Sequence, residues 1–233
     1  MASTLLIGST GLVGAHILST LLASDAAGAV HTISRRSPKS TGPKLHAVVE
    51  ADTAKWASQL SAITPPPTTV ISSLGTTRAQ AGGIANQWKI DHDLNVDLAR
   101  AAKQAGVRNF VFVSSAGTRS FLSSRVPYSQ MKRGVEDTIK ELEFETAVIL
   151  RPGVILGERE VPHAGGPLLN STVRGLGKLL GQGVADRLGQ EAEVIAQAAV
   201  HAARLAEEGK APAKYWILEA ADIVRLGRTE WKS

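Results

Sequence analysis

Two hydrophobic periods alternate along this chain. Thr4 to Ile7, Ala29 to Ser34, Thr69 to Ser73, Phe110 to Val113 and Glu145 to Arg151 are short, largely apolar runs. They are too brief for helices and too apolar for strands with one wet face, which fits strands buried on both faces of a parallel sheet. Lys44 to Glu50 reads as a further strand, and Lys214 to Glu219 as the last. Between these runs, apolar residues recur at three- and four-residue spacing over Ala15 to Leu22, Thr53 to Ala62, Trp88 to Ala105, Tyr128 to Leu142 and Ala192 to Glu208. Gly106 and Gly209 stand where helix C-caps are expected. The alternation predicts an α/β protein: a Rossmann-like doubly wound parallel sheet with helices on both faces and a small C-terminal substrate-binding appendage. The tail from Ile223 has no readable period.

The first strand runs straight into Gly8-Ser9-Thr10-Gly11-Leu12-Val13-Gly14 and then a helix. A dinucleotide pyrophosphate needs this order. The first glycine permits the tight turn, the second brings backbone up to the phosphates, and the third lets helix and strand pack closely. Free N–H groups and the positive end of the helix dipole then face the anion. Where NAD is preferred, an acid about twenty residues beyond the glycines holds the ribose 2′-hydroxyl. No Asp or Glu lies between Ala26 and Val49; the second strand ends instead in Arg35 and Arg36. Guanidinium forks suit a 2′-phosphate, so the expected cofactor is NADP(H). Leu74, Gly75 and Thr76, after the fourth strand, are expected on the cofactor crevice, with Thr77 and Arg78 beside them.

The buried strand Phe110 to Val113 ends in Ser114-Ser115-Ala116-Gly117; Tyr128 follows Ser115 by thirteen residues and Lys132 follows Tyr128 by four. Spacing of four stacks Tyr128 and Lys132 on one helical face. A carbonyl that accepts hydride needs a proton at oxygen. Tyr128 can donate it, the Lys132 ammonium favours the phenolate left behind, and Ser115 can hold the carbonyl oxygen. Ser114 points to the other face of the strand, which leaves Ser115 as the catalytic serine.

The glycine triplet, Ser115 and Tyr128-x-x-x-Lys132 together resemble the short-chain dehydrogenases/reductases of atypical or extended type. Leu150-Arg151-Pro152-Gly153 is similar to the segment that borders cofactor and substrate in that family, which implies cofactor contacts from Arg151 and Pro152. GSTGLVG, ISRR, SLGTTR and VSSAGT carry the likeness further, to the Tat-interacting oxidoreductase-like group and its fungal relatives from mitochondrial preparations. That resemblance spans nearly the whole chain. It implies NADP binding, peripheral attachment to the cytoplasmic face of the mitochondrial outer membrane (or a cytoplasmic location), and a homodimer through the Tyr128 helix.

At 233 residues one NAD(P)-binding domain is expected, with about 1–156 as the cofactor core, 157–213 as the substrate or lid region and 214–219 as the last strand. His163 to Leu188 holds six glycines among its leucines. It reads first as a packed substrate-domain helix, next as a mobile lid and last as a basic membrane-contact segment. The chain has no cysteine, which excludes disulfides and thiolate chemistry, and its six histidines show no ligand spacing, so no metal is expected. Net charge is +5, with cations scattered rather than interleaved with aromatics, so nucleic acid is not an expected partner. No apolar run is long enough to span a membrane, and a strand beginning at Thr4 leaves no room for a cleavable leader.

The expected activity is NADPH-dependent reduction of a small carbonyl or quinone-type molecule. A nucleotide-sugar epimerase or dehydratase would use the same Tyr and Lys, but a chain of this length has little room for a sugar domain. An NADP(H)-sensing regulator would need none of Ser115, Tyr128 and Lys132.

Overall fold

The structure, a computed structural model, describes residues 2–120, 122–157 and 189–232. The lid, helix and membrane readings of His163 to Leu188 lie outside the described residues. Strands β1 (Thr4–Ile7), β2 (Val30–Ser34), β3 (Leu45–Val49), β4 (Thr69–Ser72), β5 (Asn109–Val113), β6 (Thr146–Leu150) and β9 (Tyr215–Leu218) form one seven-stranded sheet in the order β3-β2-β1-β4-β5-β6-β9. Every pairing in it is parallel. Two further short strands, β7 (Val154–Leu156) and β8 (Gly189–Glu191), pair with each other.

Uniform apolarity of the strands follows from their cover. On one face, Leu6, Ile71, Val111, Val113 and Val148 pack under α1 (Leu12–Ala23) and α7 (Ala192–Glu207). On the other, Leu5, Ile7, Phe110, Phe112 and Ile149 pack under α2 (Trp56–Ser61), α5 (Asn95–Gln104) and α6 (Pro127–Glu141). Adjacent residues of one strand serve opposite cores, as pleating demands. The edge strand β3 is the exception, with His46, Ala47 and Val49 exposed. Its length and β-branched residues, rather than burial, made it legible.

Three places depart from the sequence pattern. The single helix expected over Trp88 to Ala105 is a π turn (Lys89–Leu94) running into α5, with α4 (Ile84–Trp88) before it. Asn95 explains the break. Its side-chain nitrogen lies 3.1 Å from the Ile90 carbonyl and 3.3 Å from that of Asp91, and its Oδ1 accepts from Ser72 Oγ at 2.7 Å. A side chain that bonds nearby carbonyls competes with the regular ladder. Residues beyond Gly75 contain a one-turn helix, α3 (Arg78–Ala81), capped by the Thr77 hydroxyl. The unassigned tail forms α8 (Ala220–Val224) and a second π turn (Arg225–Thr229), which bury Ile223 and Leu226 and bond His201 Nδ1 to the Leu226 carbonyl. Pieces this short show no period; packing on α7 makes them helical.

Candidate functional site

The sheet order reverses between β1 and β4, and ligands of such sheets bind outside the carboxyl ends at that point. Both glycine turns meet there. Gly8 sits at φ +86, and a Cβ on it would come within 2.8 Å of Leu74 N and the Ser73 carbonyl carbon. A Cβ on Gly14 would fall onto the Gly8 carbonyl oxygen. Ser73 Oγ donates to the Ile7 carbonyl at 3.2 Å and locks the two strand ends together. The first bond of α1 runs from Ala15 N–H to the Gly11 carbonyl at 2.8 Å, so the N–H groups of Leu12, Val13 and Gly14 open onto the turn. Their side chains do other work: Val13 belongs to the core and Leu12 packs against it.

A cavity of about 180 Å³ adjoins this turn, lined by Ser9, Thr10, Arg36, Ser37, Lys39 and Ser40. Ser9 is 1% exposed and its hydroxyl has no hydrogen-bond partner among the described residues. A buried orphan hydroxyl, a cradle only glycine can form and two cations lining one cavity fit a phosphorylated dinucleotide. Of the predicted arginine pair, Arg36 lines the cavity; Arg35 is exposed and is not part of that lining. Ser34 Oγ donates to the Arg36 carbonyl at 2.7 Å and fixes the turn. Sequence reasoning missed Ser37, Lys39 and Ser40, although Lys39 is the next cation in the same acid-free stretch.

At the ends of β4 and β5 stand the remaining candidates. Lys132 is 4% exposed; its Nζ donates to the Val113 carbonyl at 3.2 Å and lies 4.8 Å from the Phe112 ring centre. A Cβ on Gly75 would be 3.7 Å from that Nζ, so Lys132 looks onto the Gly75 loop. Tyr128, one turn earlier on α6, is 37% exposed. Pro127 opens that helix at a position where a missing N–H costs nothing. Ser115 is half-buried at the end of β5, whereas Ser114 is buried and donates to Glu136 Oε1 at 2.6 Å. Tyr215 is occupied elsewhere: its hydroxyl donates to the Glu136 carbonyl at 3.3 Å, and burial together with the Glu136 charge pushes its phenol up to about 12.

The guanidinium of Arg151, in the segment expected to border the cofactor, is engaged within the protein. Its Nη2 lies 2.7 Å from Glu136 Oε2, its Nε 3.2 Å from Oε1, and its Nη1 3.0 Å from Glu219. The buried carboxylate of Glu136, two turns on from Tyr128, captures the guanidinium, while the Arg151 N–H donates to the Leu218 carbonyl at 2.8 Å and the Pro152 carbonyl accepts from the Ala116 N–H at 2.7 Å. Arg119 also bonds Glu136, at 3.0 Å, and Asp137. Burial raises the Glu136 carboxyl, but hydrogen bonds from Arg151, Ser114 and Arg119 outweigh it and hold the group below the ordinary carboxylate range. A depressed folded value means the contribution is complete above about pH 4.5, the unfolded value, and is lost as pH falls through the lower folded one. Melting temperature should therefore fall steeply on acidification below pH 4.5, and Glu136→Gln should lower it at neutral pH while flattening that acid limb. An acid limb unchanged in the variant would reject this assignment.

The model of the family described as "NAD dependent epimerase/dehydratase family" matches residues 4–217. Among curated sequences, "Protein FMP52, mitochondrial" of Chaetomium globosum is 66% identical over 232 residues, covering 100% of both chains. "Protein fmp-52, mitochondrial" of Neurospora crassa is 68% identical over 99% of this chain and 97% of its own. Among solved structures, a short chain dehydrogenase/reductase from Saccharomyces cerevisiae superposes with a TM-score of 0.71 at 18% identity, over 97% of this chain and 99% of that one. "MoeE5 in complex with UDP-glucose and NAD" gives 0.67 at 17% identity, over 98% and 81%. These two show likeness of fold. Among the described residues no helix is long and apolar enough to cross a membrane.

Proposed function

Because this chain belongs to the NAD dependent epimerase/dehydratase family, we propose that it uses NADPH to reduce a small carbonyl or quinone-type molecule. One observation carries the reading: a buried ammonium, Lys132, looks onto the Gly75 loop at the switch point, one helical turn from the open phenol of Tyr128. When bound, the reduced dinucleotide supplies the hydride. Gly8, Gly11 and the first N–H groups of α1 hold its pyrophosphate, and Ser9, Thr10, Arg36 and Lys39 hold the phosphorylated ribose. Leu74, Gly75 and Thr76 border the crevice. Tyr128 gives its proton to the substrate oxygen, Lys132 stabilises the phenolate that remains, and Ser115 donates a hydrogen bond to the same oxygen.

The test is a carbonyl and quinone screen that follows NADPH consumption. Titration should show NADPH binding more tightly than NADH, and Arg36→Ala should cut that preference about tenfold, the worth of one charge-assisted phosphate contact. Equal affinity for the two cofactors in the unaltered protein would sink the phosphate assignment. Solved proteins of like fold that hold UDP-glucose or UDP-glucuronic acid beside NAD support a second reading, nucleotide-sugar epimerisation. Conversion of UDP-glucose without net cofactor consumption would establish it instead. NADPH-dependent changes in partner binding without any turnover would favour a sensor. For location, relatives named mitochondrial support a mitochondrial site, and we propose peripheral attachment at the outer membrane's cytoplasmic face; protease accessibility on intact mitochondria tests it.

A further inference from the structure

Asp91, on the π turn Lys89–Leu94, is 0% exposed and belongs to no motif. Both of its oxygens accept: Oδ1 from the Thr76 N–H at 2.6 Å and Oδ2 from Gln87 Nε2 at 3.2 Å. The same Gln87 nitrogen reaches the Thr76 carbonyl at 3.2 Å. Asp91 and Gln87 thus grip both polar backbone groups of Thr76. Gly75 stands between two charges, since a Cβ there would lie 3.6 Å from Asp91 Oδ1 and 3.7 Å from Lys132 Nζ.

We propose that Asp91 is a positioning residue that holds the Gly75–Thr76 backbone for the dinucleotide and supplies the counter-charge to the Lys132 ammonium. It rests on the reading above in taking Lys132 as the group that assists Tyr128 and the Gly75 loop as a border of the dinucleotide site. Titratable residues on this turn and on the helices packed against it include Lys89, His92 and Asp93 on the turn itself, Asp97 and Arg100 on α5, and Lys132 and Arg133 on α6. Of these, Lys132 is the one whose charge acts on Asp91. Burial pushes the Asp91 carboxyl above its ordinary range, while Lys132, the Thr76 N–H and Gln87 pull it back. On the other side, Val113 offers Lys132 a carbonyl and Phe112 a ring face, neither a full charge. Glu136, one turn along, is spent on Arg151, Ser114 and Arg119.

Melting curves of the unaltered protein, Lys132→Met, Asp91→Asn and the double variant test the pairing. Lys132→Met strands a buried carboxylate and should lower the melting temperature by about 5 °C or more. That loss should be larger at pH 8 than at pH 5.5, because a carboxyl raised in the folded state costs stability as pH rises through its folded value. Adding Asp91→Asn should restore most of it. Losses that simply add, or that ignore pH, overturn the pairing. Fluorescence titration with NADPH tests the grip on Thr76. Asp91→Ala should weaken binding about tenfold, whereas Asp91→Asn, whose amide oxygen still accepts the Thr76 N–H, should stay within about threefold. Equal losses in the two variants overturn the positioning role. Neither measurement uses turnover, so an inactive protein with coupled Asp91 and Lys132 would reject the proposed reaction alone.

Discussion

Tyr128→Phe is expected to slow carbonyl-dependent NADPH oxidation by about 10²–10⁴, the range for a lost general acid, with little change in NADPH affinity. The substitution removes one oxygen from a side chain that is 37% exposed and leaves the ring and Pro127 at the start of α6. Stability should therefore hold, and the effect should fall on the proton. A variant with full turnover would remove Tyr128 from the chemistry; one that loses turnover and NADPH affinity together would make it a binding residue. The serine pair sharpens the test. Ser115→Ala should cost about 10²–10³ in rate, as loss of one donor to a developing oxyanion does. Ser114→Ala should instead lower stability, because its hydroxyl serves the buried Glu136 carboxylate.

Gly14→Ala should lower stability by about 3 kcal/mol or more, a fall of roughly 6–12 °C in melting temperature, and abolish dinucleotide binding. Helix propensity alone predicts the opposite sign, since alanine is favoured over glycine inside a helix by about 1 kcal/mol. The steric term decides. A Cβ at Gly14 would meet the Gly8 carbonyl and stand 2.7 Å from Ser73 Oγ. The first obstacle is backbone and cannot swing aside, so α1 would have to lift off β1 and take its N–H groups out of the turn. Gly11→Ala gives the comparison: its Cβ would lie 3.3 Å from the same oxygen, a contact relieved by a small shift. A Gly14→Ala protein that melts higher than the unaltered one would refute the close approach of helix and strand.

Much of this architecture is written locally, and such features were legible in the sequence. Parallel strands buried on both faces must be apolar throughout, so five of the seven strands of the sheet stood out as apolar runs. Three glycines at the exit of β1 have a local cause, the turn itself. Tyr128 and Lys132 share a face of α6 because spacing in a helix fixes direction. Family membership follows from these same residues.

Tertiary packing decided what local pattern does not contain. Whether Arg35 or Arg36 meets the cavity depends on how the turn after β2 closes over α1. Nothing in the sequence around Arg151 announces the buried Glu136 that α6 brings against it, fifteen positions away in the chain. Asp91 carried no signal at all, because its meaning lies in facing Lys132 across a glycine from another element. Side-chain direction along a strand or helix is set by the residue's own backbone. Which charge it meets there is set by the angle at which distant elements pack, and a single chain of letters does not hold that angle.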